Sequence, residues 1–218
     1  MKKIIVFFII LVFIPLAACD KEEGLFPYVS EIRSDILSGK SDNYSLKAYV
    51  MQSETPLNDD GKAGELTPRL RFFLAAKDVN ALYRIEFSLG EKTYSKEFSL
   101  DVATDGFIAE IETETLPALP LAVNVFLAGK PETVQLNSIV PPETLTPKAV
   151  SDTVLLKNPE LFDCYKNEEG AICAEIRIKI TVKDEKPYYF FGILDGKSRK
   201  AFLADGKTGD VLAVRNVF

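Results

Sequence analysis

The 218-residue chain carries three cysteines and no histidine, and those two counts decide most of the chemistry open to it. Without imidazole the serine-histidine and cysteine-histidine nucleophile systems are excluded, and nearly every catalytic zinc site loses its usual ligands. A serine-lysine dyad needs no histidine, yet no Ser-x-x-Lys opens a helix in this chain. Glu110, Glu112 and Glu114 alternate with Ile111, so they read as the solvated face of a strand and not as a glycosidase pair. The stretch NDDGKAGE, residues 58 to 65, lacks calcium-loop spacing, and GKTGD lacks the frame of a phosphate loop. The chain therefore reads as a non-enzyme with no catalytic residue, metal or cofactor.

The cysteines are placed differently. Cys164 and Cys173 flank YKNEEGAI, a spacing wrong for a C-x-x-C metal site. Cys19 instead stands at the foot of a leader: Met1-Lys2-Lys3 precedes IIVFFIILVFI, eleven apolar residues from Ile4 to Ile14. At about 1.5 Å per residue that run is too short to cross a hydrocarbon core of roughly 30 Å, so it reads as a secretory signal. Leu16-Ala17-Ala18-Cys19 resembles the lipobox of bacterial lipoproteins. The resemblance implies cleavage after residue 18, two acyl chains on the Cys19 thiol, and a palmitate-type anchor that holds the protein on a membrane without crossing it. The alternative is an ordinary signal peptide with a chance cysteine. Asp20 resembles the signal that keeps a lipoprotein at the inner membrane. The expected address is thus the extracytoplasmic face of the bacterial cytoplasmic membrane. With Cys19 acylated, Cys164 and Cys173 remain as an even pair in an oxidising compartment, which predicts a disulfide worth roughly 2.5 to 3 kcal/mol; two buried free thiols are the alternative.

These residues need elements to hold them. Period-two patterns mark strands in YSLKAYV, RLRFFLA, YRIEFSL, TYSKEFSL, FIAEI and LAVNVFL, and YVSEIRSDILSG reads as a strand with helix as the competing assignment. Turn signals roughly every ten residues suggest an immunoglobulin-like antiparallel β-sandwich over residues 28 to 140, behind a tether at 19 to 27. A proline-rich linker follows at 141 to 147. Thr146 and Pro147 start a helix carrying Ala149, Val150, Val154 and Leu155. AEIRIKITVK then has one dry and one wet face, and YYFFGI and KAFLA pair across Asp195-Gly196. This α+β pattern over 148 to 218, closed by Asp205, Lys207, Thr208, Gly209 and Val211, resembles the PepSY domain family. The resemblance implies a peptide-binding or regulatory role and supplies no catalytic residue.

Tyr188, Tyr189, Phe190 and Phe191 form the candidate binding surface. Adjacent strand residues point to opposite faces, so two of the four must leave the helix-covered side. They either pack on the sandwich or form an exposed ledge. Removal of residues 1 to 18 takes away Lys2 and Lys3 and no acid, leaving 24 basic against 32 acidic side chains. Such a surface disfavours nucleic acid. The function expected is a membrane-anchored module that binds an envelope protein or peptide, with capture of a small solute or ion in an interdomain cleft as the alternative.

Overall fold

The computed structural model describes residues 24–57, 60–102, 106–196 and 199–217. The leader, the Leu16-Cys19 stretch and Asp20 lie outside them. The fold is mainly β, with one α-helix among the described residues. In chain order the elements are β1 (Val29–Lys40), β2 (Tyr44–Ser53), β3 (Thr67–Ala76), β4 (Tyr83–Leu89), β5 (Lys92–Glu97), β6 (Ser99–Asp101) and β7 (Gly106–Glu112). They continue with β8 (Leu121–Leu127), β9 (Lys130–Ser138), α1 (Pro147–Lys157), β10 (Glu175–Lys183), β11 (Lys186–Leu194), β12 (Arg199–Asp205) and β13 (Val211–Val217).

The period-two patterns explain the first half. Leu46, Ala48 and Val50 on β2, Leu70, Phe72 and Leu74 on β3, and Phe107, Ala109 and Ile111 on β7 all turn one way and are buried. Opposite them pack β4, β5, β8 and β9, which form a second layer. Phe72 meets Phe87 at 5.3 Å between ring centroids and Tyr83 meets Phe107 at 4.8 Å, so aromatic contacts fill the space between the layers.

Two local predictions need correction. The run TYSKEFSL is not one strand. β5 pairs with β4, β6 pairs with β7, and buried Phe98 between them bonds its amide to the Tyr83 carbonyl as the chain changes layers. The second omission is β9, whose alternation is hidden behind Pro131 and two exposed leading residues. Ala128 and Gly129 take positive φ to make its turn, after which Val134 and Leu136 are fully buried.

The second half builds another core. The Thr146 side chain accepts from the Ala149 amide at 3.2 Å, and Pro147 opens α1. The helix then lays Val150 and Val154 on Ile176, Ile178, Ile180, Tyr189, Phe191 and Phe202. Phe191 stacks on Phe202 at 4.6 Å.

β1 links the two halves. Its first residues pair in parallel with β10, from Val29 opposite Ile176 to Arg33 opposite Lys179. A bulge between Arg33 and Asp35 in the pairing with β2 marks the departure, and β9 then takes the vacated edge at Leu37 and Ser38. One continuous sheet results, in the order β13-β12-β11-β10-β1-β2-β3-β7-β6.

The disulfide expectation is also corrected. Cys164 and Cys173 are free and, contrary to the buried-thiol alternative, exposed. The loop between them is closed by main-chain bonds instead. The Cys173 amide donates to the Tyr165 carbonyl at 2.7 Å, and the Asn167 side chain accepts from the Glu169 and Ala171 amides. Cys164 Sγ lies 3.6 Å from Lys200 Nζ. No helix among the described residues is long and apolar enough to cross a membrane.

Candidate functional site

β11 divides its aromatic run as the pleat requires. Tyr189 and Phe191 enter the helix-covered core, where the Tyr189 hydroxyl donates to the Leu145 carbonyl at 2.7 Å and burial pushes its ionisation far up. Tyr188 on the other face is half-buried, and Phe190 is 41 % exposed. These two residues belong to the outer face of the continuous sheet, the side opposite α1.

Register places cations beside Phe190. Reading across neighbouring strands, Phe190 stands opposite Lys179, Lys179 opposite Arg33, Arg33 opposite Met51, Met51 opposite Arg69 and Arg69 opposite Glu112. Residues directly opposite share a face, so this row joins the two halves of the molecule. Most of its charges are matched. Lys179 pairs with buried Glu31 at 2.7 Å, and Arg69 and Arg71 both bond Glu110, at 2.9 and 2.6 Å. Burial alone would push the Glu110 carboxyl up, but the two arginines outweigh it and hold it below the ordinary carboxylate range. The expectation that Glu110 is mere solvation is corrected accordingly, because it ties β7 to β3.

Tyr49 is the centre of the unmatched part. The Arg33 guanidinium lies 4.2 Å from its ring centroid, the Lys47 ammonium 5.1 Å, and the Phe73 ring meets it edge-on at 4.9 Å. Such cation-π contacts contribute about 0.5 to 1 kcal/mol at exposed sites. Arg33 also donates from Nε to the Ile180 carbonyl at 2.7 Å, closing the gap where β10 leaves β1. Burial pulls the Arg33 guanidinium below its ordinary value, while Tyr49 and Glu31 act in the opposite sense. Among the described residues neither Arg33 nor Lys47 has a carboxylate within ion-pair distance. Alternation in YSLKAYV already assigns Lys47 and Tyr49 to the face opposite Leu46. Their meeting with Arg33 and Arg71 depends on the pairing of β1, β2 and β3, for which the sequence carries no local signal.

The closing Asp205-to-Gly209 turn is a structural clip. Asp205 Oδ1 accepts from the Lys207 and Thr208 amides at 2.8 and 2.9 Å. Lys157 at the end of α1 donates to the Thr208 carbonyl and to Asp210. A separate groove of about 570 Å³ opens where the β4-β8 ladder stops at Glu86 opposite Asn124 although both strands continue. Phe87, Leu89, Leu121 and the segment Thr115 to Pro120 line it, away from α1. No group of three histidine, cysteine, aspartate or glutamate residues is placed to hold a metal among the described residues.

No protein-family model, curated protein or solved structure matches the chain.

Proposed function

We propose that this protein is a lipoprotein held on the extracytoplasmic face of a bacterial membrane by acylated Cys19, and that it binds an envelope protein or peptide without catalysis. On this reading the layers from β1 to β9 act as an immunoglobulin-like sandwich and α1 with β10 to β13 as a PepSY-like module. The observation that carries the binding role is the exposed Phe190 beside Lys179 and Arg33 on a sheet face that α1 leaves uncovered. An aromatic anchor among cations is the composition that concentrates binding energy at interfaces.

Two measurements test it. Mass spectrometry of the native product should find a diacylated N-terminal cysteine, and Cys19→Ser should move the protein to the soluble fraction. A photo-crosslinking phenylalanine analogue at position 190, used in intact envelopes, should give a discrete protein adduct. The same analogue at position 82, where Leu82 is 83 % exposed in the loop before β4, should give none. Equal labelling from both positions removes the binding role.

The groove between β4 and β8 favours a second reading, capture of a small solute, since its size lies within the range of ligand pockets. A ligand at a hundred times its dissociation constant stabilises by about 2.7 kcal/mol, so a thermal-shift panel of metabolites separates the two.

A further inference from the structure

We infer that the partner presents a short, extended, carboxylate-rich segment, which docks on the outer sheet face with Arg33 and Lys47 on either strand of the Tyr49 cluster as its charge-reading pair. This rests on the binding role proposed above and specifies the partner's chemistry.

The argument is one of complementarity. The chain as a whole has a net charge of −6, yet around Tyr49 on this face the cations Arg33, Lys47, Arg69, Arg71, Arg177 and Lys179 outnumber the carboxylates Glu31, Glu110, Glu112 and Glu175. Those four are already engaged: Glu110 with Arg69 and Arg71, Glu112 with Arg69, Glu31 with Lys179 and Glu175 with Arg177. The two cations left over are neighbours, since both lie against the same tyrosine ring. Arg33 is held in place by its Nε bond to the Ile180 carbonyl and by its contact with Tyr49, so its charge stands fixed beside that of Lys47. Phe73, which meets Tyr49 edge-on, and the exposed Phe190 supply apolar surface beside these cations, suited to a segment whose acidic residues alternate with apolar ones, while Tyr49 itself packs against the helix-side core next to Ile36. An extended polyanion such as a nucleic acid or an anionic bilayer would meet the repulsion of the remaining acidic surface. A segment of a few residues covers the cationic patch alone.

The test uses the full chain without its leader and a fluorescein-labelled decapeptide of alternating glutamate and valine, read by fluorescence anisotropy. A matched peptide with glutamine for glutamate should bind at least tenfold more weakly, and raising the salt from 50 to 500 mM should weaken the acidic peptide by a similar factor. Among the described residues the Lys47 side chain makes no hydrogen bond or ion pair and gives the fold only its contact with the Tyr49 ring, so Lys47→Glu should still unfold cooperatively, with no more than the small loss of that one contact, while losing at least tenfold in affinity, and Lys47→Arg should bind like wild type. Equal binding of the two peptides, or undiminished binding by Lys47→Glu, overturns the inference. So does binding to phosphatidylglycerol vesicles in the absence of peptide binding. A discrete adduct at position 190 together with no acidic-peptide binding would remove this inference and leave the binding role standing.

Discussion

Asp205 shows how one side chain can be read for its type from sequence and for its energetics only from the fold. Its place before Gly206 marks a turn, but the two amides it accepts from, those of Lys207 and Thr208, hold its carboxyl below the ordinary value of 3.8. A carboxylate whose folded value is depressed stabilises the fold fully above its unfolded value, and that contribution is lost as pH falls through the folded value. Asp205→Ala should therefore unfold at lower urea than wild type at pH 7. The gap between the two should narrow as the pH falls from the unfolded aspartate value of about 3.9 and close once it has passed the depressed folded value, as followed by circular dichroism. Thr146 is the opposite case. Its capping role was legible from Thr-Pro followed by an apolar pattern, because a cap is a local event. Arg33 was not legible as a site residue, because its neighbours come from two other parts of the chain, Tyr49 from β2 and Lys179 with Ile180 from β10.

At the scale of elements, the turn between β12 and β13 and helix α1 constrain each other at Gly209. Its φ is +70°, and a Cβ there would stand 2.7 Å from Thr153 Cγ2. Left-handed geometry costs a non-glycine residue about 1 to 2 kcal/mol, and the collision with α1 adds to that. Gly209→Ala should lower stability by at least this amount in urea titration, while Gly129→Ala, which also has positive φ but open space around it, should show the conformational cost alone. Strands with clean alternation, β2, β3, β4, β7 and β8, were readable because one face of each is dry. β9 was not, since two exposed residues and a proline precede its buried pair, and neither was the break at Phe98, where backbone pairing and not side-chain pattern ends β5. The aromatic run on β11 gave the alternation correctly but could not say what would cover its outer face.

For the whole molecule the shared strand β1 is decisive. It gives Ile32 and Ile36 to the helix-side core and Leu37 to the core between the layers. The halves are therefore coupled through one strand, and unfolding should be a single cooperative transition in which tyrosine fluorescence and far-ultraviolet dichroism coincide. Ile36→Ala, at a position 3 % exposed, should shift that transition by about 2 to 5 kcal/mol without splitting it. Two separated transitions would mean that β1 does not couple the cores. The prolines between residues 141 and 147 suggest a division of the chain, but the opening strand pairs with both sides of it. Parallel pairing across such a separation leaves no trace in local composition.

That pairing has a consequence for the newborn polypeptide. Arg33 waits for Ile180, 147 positions later, so while the chain is being synthesised its earliest strand keeps an open margin until nearly everything downstream has left the ribosome. Closure late in synthesis slows folding. On the proposed extracytoplasmic address, it would also keep the nascent chain threadable for most of its passage through a translocation pore.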